Sequence, residues 1–267
     1  MIEITPFSKD DLLQLPPLQP ESWDDITPSF KFYLLQKFCY PFAAKSNGHL
    51  AGVATAIVND QSGWLAHIIV HEDFRRQGIG AKLTRQLLDL LEARKCVTKL
   101  LIATKDGEPL YRTFGFHTIA EYNFYHAKKL NVQPDPHIEQ IKKSDIKAIM
   151  ELDKEKTMED RSQMLLPFHA TGWVYRKEDG EISGFYLPDC GEGVIVAKDD
   201  KTGIDLLQFK HTVLHKKAVL PATNQTGNDY LQQCGFVKFS SSPRMVLGED
   251  ITWQPQAIFS RIGGYYG

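Results

Sequence analysis

Apolar residues gather into three strand-like stretches in the first third of the chain, at 40–45, 49–58 and 63–71. Polar turns, Ser46-Asn47-Gly48 and Asn59-Asp60-Gln61-Ser62-Gly63, separate them, a pattern that predicts an antiparallel meander. The period then changes. Ile79, Leu83, Leu87 and Leu91 recur four residues apart, which predicts a helix over about 79–95 with one apolar face. A buried-type strand is expected at 99–104, a short helix at 108–114 and another strand at 115–122. Ahead of the meander, Ile2-Glu3-Ile4 reads as a short strand. Ser8-Lys9-Asp10-Asp11-Leu12-Leu13 reads as a capped helix start, broken by Pro16-Pro17-Leu18-Gln19-Pro20, with a second helix around 30–38. The predicted order is ββββ, α, β, α, β.

The chain then begins again. Asn131-Val-Gln-Pro-Asp-Pro-His137 has two prolines and no periodicity, which predicts a linker at 131–137. Beyond it the opening segment is echoed from Ile138, Gly180-Glu-Ile-Ser-Gly184 echoes Gly48-His-Leu-Ala-Gly52, and Cys234-Gly235-Phe236 echoes Phe114-Gly115-Phe116. Two diverged copies of one α+β fold, at 1–130 and 138–267, are expected.

Composition narrows the class. At 42% hydrophobic and 24% charged residues the chain has the balance of a soluble globular protein. It has no apolar run of the roughly 20 residues that a membrane span needs. The start has no basic region followed by an apolar core, so no signal peptide is read and the cytoplasm is expected. A formal charge of −2 gives no global pull toward nucleic acid. Cys39, Cys96, Cys190 and Cys234 form neither a CxxC pair nor a Cys/His cluster, so reduced thiols and no metal site are expected.

The chemistry concentrates where the third strand meets the long helix. Trp64-Leu65-Ala66-His67-Ile68-Ile69-Val70 runs into Arg75-Arg76-Gln77-Gly78-Ile79-Gly80 and then directly into the helix. The first N–H groups of a helix lack intrahelical acceptors and its dipole favours an anion, so such a loop suits phosphate. Gly78 and Gly80 let the backbone approach a ligand without a Cβ in the way. Between Arg75 and Lys99 there are seven Lys/Arg against Asp89 and Glu92, a local excess that suits an anionic ligand. The spacing matches neither a nucleoside-triphosphatase loop nor a dinucleotide fingerprint.

Arg75-x-x-Gly78-x-Gly80 behind a Val70-containing strand resembles the pyrophosphate loop of the GCN5-related N-acetyltransferases (GNAT). Leu110-Tyr111-x-x-x-Gly115-Phe116, at its distance behind that loop, matches the family's other hallmark. With Gly63-Trp64 and Ala103-Thr104-x-x-Gly107-x-Pro109-Leu110-Tyr111, the chain is similar to the two-domain bacterial branch whose C-terminal half is a degenerate second copy. The resemblance implies tandem acyl-CoA N-acyltransferase folds with mixed, mostly antiparallel sheets flanked by helices. In that fold the fourth and fifth strands splay apart around the thioester. It also implies acetyl-CoA as co-substrate, without a metal, and direct attack by a primary amine of a small-molecule or peptide acceptor.

Residue by residue, the resemblance implies that backbone groups of Ile68, Ile69 and Val70 pair with the pantetheine arm. Arg75, Arg76, Gln77, Gly78, Ile79, Gly80 and Ala81 would hold the pyrophosphate. Tyr111 occupies the position of the general acid that protonates the leaving thiolate. His67 is a candidate base, with Asp24, Asp25 and Glu108 as others. Trp23, Asp24, Asp25, Thr104 and Glu108 are candidate acceptor contacts, Thr104 standing where many relatives carry Asn. Small amines, amino acids, aminoglycosides, polyamines and peptide N-termini all fit as acceptors, and the residues fix no oligomeric state. The rival reading is a non-catalytic acyl-CoA sensor, which would have no use for an acid at the sulfur.

In the second copy the loop reads Lys198-Asp199-Asp200-Lys201-Thr202-Gly203, with carboxylates where phosphate would bind. Asn224 matches Thr104, Leu231 matches Tyr111, and Tyr230 falls one residue early. No second coenzyme site is expected. Trp173, Tyr186 and the aromatic 253–266 tail are candidates for acceptor-site wall.

Overall fold

The computed structural model describes residues 2–20, 23–213 and 217–267. The chain forms two compact units that interleave in sequence. One takes the chain up to Leu101, then Gly107–Phe116 and Val246–Glu249; the other takes Ile102–Asp106, His117–Met245 and Asp250–Gly267. A late strand at Lys238–Gly248 contributes residues to both.

The first unit contains β1 (Ile2–Pro6), α1 (Thr27–Leu35), β2 (Cys39–Ser46), β3 (His49–Asn59), β4 (Ser62–Val70), α2 (Ile79–Ala93), β5 (Thr98–Ile102) and α3 (Glu108–Thr113). Its strands run in the order β1-β2-β3-β4-β5. The first three pairings are antiparallel and the last is parallel. The expected meander and helix order is thus present. The segment read as a helix start at Ser8 is a 3-10 turn at Asp10–Gln14, where Asp11 is spent on the Ser8 N–H (2.8 Å) and on Lys45 (2.6 Å).

The i, i+4 stripe of α2 is what joins helix to sheet. Ile79, Leu83, Leu87 and Leu91 are buried on β3 and β4, each contributing about 1.5–3 kcal/mol. The helix comes close because Gly52 has no side chain. A Cβ there would lie 2.9 Å from the Ile69 carbonyl oxygen and 3.2 Å from Leu83.

The second unit contains β6 (His117–Tyr125), β7 (Ile138–Gln140), α4 (Ile146–Thr157), α5 (Ser162–Leu165), β8 (Trp173–Arg176), β9 (Ile182–Leu187) and β10 (Val194–Ala197). It continues with α6 (Asp200–Val213), β11 (Ala218–Pro221), α7 (Gln225–Gln233), β12 (Lys238–Gly248) and β13 (Ile258–Ser260). One sheet is ordered β13-β10-β9-β8-β7, every pair antiparallel, and β6 lies between β12 and β11.

The internal echoes are three-dimensional. Gly184 repeats Gly52: a Cβ there would meet Thr202, Leu206 and the Val196 carbonyl oxygen within 3.0 Å. Asp145 repeats Asp11, accepting the Lys142 N–H at 2.9 Å and pairing with Arg176 at 2.9 Å. The Phe236 N–H returns to the Leu231 carbonyl (2.9 Å) as the Phe116 N–H returns to that of Tyr111 (3.2 Å).

Candidate active site

The donor strand β4 is irregular where the chemistry was expected. Against β3 its register runs Trp64 with Ile57, Leu65 with Ala56 and Ala66 with Thr55, then resumes at Ile69 with Val53. His67 and Ile68 therefore oppose the single residue Ala54, a β-bulge, and His67 takes φ +46° to form it. On the other edge the pairing with β5 stops at Trp64 with Leu100. Beyond that point the two strands no longer pair, which is the expected splay. Ile68 lies within the bulge, Ile69 resumes the ladder and Val70 ends the strand.

The loop after Val70 is built around its own backbone. Arg75 Nε donates to the Val70 carbonyl (3.2 Å) and Gln77 Nε2 to that of Asp73 (3.3 Å). Arg76 and Gly78 take φ +61° and +75°, which aim the chain into α2. The first intrahelical bond runs from Lys82 N to the Gly78 carbonyl at 3.0 Å. The N–H groups of Ile79, Gly80 and Ala81 are thus left without a helical acceptor. Arg75, Arg76, Gln77 and Gly78 are exposed. Three uncommitted N–H groups at the helix start, an exposed loop and basic side chains fit a coenzyme pyrophosphate.

Tyr111 sits on α3 with its ring edge-on to Phe116 at 6.2 Å. Burial pushes its phenol up to about 12, so it keeps its proton at neutral pH. Glu108, one turn earlier, is held by Arg112 at 2.6 Å. Thr104 is exposed and belongs to the second compact unit.

His67 is half-buried among the rings of Trp23, Phe30 and Tyr33, at 6.3, 5.7 and 5.7 Å between centroids. Burial pulls its imidazole down to about 4, so it is neutral at pH 7. Its Nδ1 lies 2.9 Å from the Tyr33 hydroxyl. Sequence reasoning missed Tyr33. The residue reads as one more apolar position on α1, and only the bulge brings His67 to it. Asp25 accepts the Thr27 N–H at the start of α1 (2.8 Å), and hydrogen bonds from the Thr27 side chain and backbone keep its carboxyl below the usual range. Asp24 is exposed beside it.

The second copy closes each of these features. Strand β10 pairs with β9 in continuous register from Val194 to Ala197, and its other edge is covered by β13, where the register shifts once between Ile195 and Val196. At the start of α6 the Asp199 carboxylate accepts the Thr202 N–H (2.9 Å) and the Ser183 hydroxyl (2.9 Å). Burial alone would raise this group; those hydrogen bonds and Lys177 hold it at about 2. Leu231 is buried in the place of Tyr111, and the Tyr230 hydroxyl turns to Gln208 (2.9 Å). Asn224 is consumed as the cap of α7 and by the Ile258 carbonyl. Trp173 and Tyr186 pack on Phe209, within the core of the second unit.

Comparison with known proteins gives the same pattern. Residues 7–116 match the acetyltransferase (GNAT) family model, and residues 149–260 match a second model described as an acetyltransferase (GNAT) domain. The chain belongs to the GNAT acetyltransferase family. It carries two GNAT domains in tandem. A curated GNAT relative, the uncharacterized N-acetyltransferase YitH of Bacillus subtilis (strain 168), is 25% identical over 126 residues. That alignment covers 45% of the chain and 44% of the relative, less than half of either. Among solved structures, a candidate acetyltransferase from Pyrococcus horikoshii superposes with a TM-score of 0.87 at 19% identity, over 100% of this chain and 96% of that one. A GCN5-related N-acetyltransferase from Sphaerobacter thermophilus gives 0.65 at 16% identity, over 95% and 98%. These two likenesses are of fold. Among the described residues no helix is long and apolar enough to cross a membrane.

Proposed function

We propose that this GNAT protein is a cytoplasmic, acetyl-CoA-dependent N-acetyltransferase whose first copy is catalytic and whose acceptor is a primary amine of a small molecule or peptide. The observation that carries the reading is the bulged strand β4, unpaired with β5 beyond Trp64, leading directly to the Gly78 helix start. The N–H groups of residues 79–81 and the side chains of Arg75 and Arg76 hold the pyrophosphate. Bound acetyl-CoA supplies an acyl group activated as a thioester. The backbone of residues 67–69 lines it where the bulge interrupts pairing. Tyr111, protonated at neutral pH and held more firmly so by burial, donates a proton to the departing sulfur.

His67 serves a different end from the one its position suggests. A group of pKa about 4 is far too weak a base to take the proton of an alkylammonium near 10. It orients groups by hydrogen bonding, fixed by Tyr33, and the amine reaches its free form through water. Asp25 and Glu108, each held by a neighbour, are set aside as bases.

The test is release of free thiol from acetyl-CoA across a panel of amines, amino acids, antibiotics and peptides. Turnover with at least one amine, with an acetylated product in the mass spectrum, is expected. Coenzyme binding with no turnover on any acceptor would overturn the catalytic reading.

A further inference from the structure

The bulge in β4 adds a residue to the strand, and the residue that takes the strained conformation is His67. The glycines under the two long helices give a common register. Gly52 faces Val70 and Gly184 faces Ala197; next, Val53 faces Ile69 and Phe185 faces Val196. One step further the copies part. Ala54 is opposed by His67 and Ile68 together, whereas Tyr186 is opposed by Ile195 alone. The second copy thus fills the same place with an apolar residue in regular pairing with β9.

The first copy carries burdens that the second avoids. His67 sits at φ +46°, where side chains are uncommon. Its polar ring lies among those of Trp23, Phe30 and Tyr33, all within the first unit. Tyr33, only 1% exposed, turns its hydroxyl to the His67 Nδ1 at 2.9 Å. Local strain persists where the surrounding structure imposes it, and it gathers at functional sites. Here it belongs to the copy whose long helix starts without a side-chain cap.

The pair also fixes a proton. A neutral imidazole has one N–H and one accepting nitrogen, and the bond made at one nitrogen decides the state of the other. Burial keeps this ring uncharged at neutral pH. A phenol is a better donor than an imidazole N–H, and an imidazole nitrogen is a better acceptor than a phenol oxygen. Tyr33 therefore donates, Nδ1 accepts, and the ring proton stays on Nε2.

We propose that Tyr33 is a positioning residue that locks His67 in the Nε2–H tautomer, and that this N–H donates a hydrogen bond to the oxygen that gains charge when the amine attacks the thioester. The imidazole gives up no proton in this role; it acts as a fixed neutral donor. The tautomer stands on the geometry of the pair, whereas its use in turnover rests on the transferase reading above.

Two readouts keep those claims apart. Nitrogen-15 NMR of the full chain without coenzyme reads the tautomer, the His67 signals being those lost in His67→Gln. Nδ1 is expected to read as the bare nitrogen and Nε2 as the protonated one, with Tyr33→Phe moving both toward an averaged value. A proton on Nδ1 in the native chain would overturn the proposal whatever the kinetics. The thiol-release assay reads the use. Tyr33→Phe should lower kcat about tenfold, with KM for acetyl-CoA unchanged, since a mixed tautomer presents the donor only part of the time. His67→Leu should lower kcat about 10²-fold, the size of one lost oxyanion donor. His67→Gln keeps an N–H but cannot act as a base, so it should stay about tenfold above His67→Leu. An Nε2–H tautomer with equal kcat in the Gln and Leu variants would keep the lock and overturn the donor role. No turnover by the native chain on any amine would overturn the transferase reading and the donor role with it, leaving the NMR to decide the lock.

Discussion

Two helices in this molecule begin at equivalent points of the same fold, and they treat their first turn in opposite ways. Helix α2 starts at Gly78, in a left-handed conformation with no side chain over its first N–H groups. Helix α6 starts beside Asp199, whose carboxylate already occupies the Thr202 N–H. Both sit over a glycine that allows close helix–sheet approach, Gly52 in one case and Gly184 in the other. The strands that feed them differ in the same sense: β4 is bulged against β3 and leaves β5, whereas β10 pairs with β9 in continuous register and is covered by β13, with one register shift, on its other edge. A helix N-terminus binds an anion only where the protein has not supplied one itself. One copy leaves its first N–H groups uncapped, and the other fills the same place with its own carboxylate.

The sharpest way to break this contrast is at the acid. Tyr111→Phe should lower turnover about 10²–10⁴-fold, with coenzyme affinity nearly unchanged, because only the proton donor is lost. Leu231→Tyr in the second copy should restore nothing to that variant. Steady-state kinetics on the two proteins decides it, and equal turnover of Tyr111→Phe would remove the residue from the mechanism.

The bulge is expected to leave a signature in acid. His67 has an ordinary value of 6.5 and a folded value of about 4, so its contribution to stability is complete above pH 6.5 and is lost as the pH falls toward 4. Between pH 7 and pH 5 this amounts to about 2 kcal/mol. Urea titrations should show His67→Gln losing correspondingly less than the native chain over that interval.

At the open helix start, Gly78→Val forces a β-branched residue to φ +75° at a cost of about 1–2 kcal/mol. Calorimetry should show coenzyme affinity reduced roughly tenfold, since the loop and the first N–H groups move together. The native chain should bind one coenzyme per chain; two would mean that the start of α6 is not closed.

The smallest effect belongs to the closed start. Asp199→Ala removes a cap worth about 0.5–2 kcal/mol without creating a second coenzyme site. Because Asp199 is held near 2 against an ordinary 3.8, its contribution is present above pH 3.8 and fades as the pH falls through 2. Acid unfolding of the variant should lack that component, and a second bound coenzyme would contradict its role as a plug.

Much of the first unit was legible before any coordinates. The change from strand runs to the Ile79, Leu83, Leu87, Leu91 stripe predicted β4 and α2, because burial of one helical face needs that spacing. Glycines and carboxylates told apart the two helix starts: the one at Gly78 has no side-chain cap, and the one beside Asp199 is capped by that acid. Tyr33 was not legible, because an aromatic residue on a helix carries no mark of the side chain it will meet thirty-four residues away. Nor was the neutrality of His67. The same residue on an exposed strand would titrate at its ordinary value.

The sequence by itself determined the α+β class, the family and the duplication, since these depend on period, turn chemistry and local motifs that the chain states directly. Tertiary structure decided that the compact units interleave, that His67 lies in a bulge against Tyr33, and that Arg244 and Arg261 converge on Tyr122. Those outcomes depend on which distant segments pair and on how much water their contacts exclude. Neither is a property of any local stretch of residues.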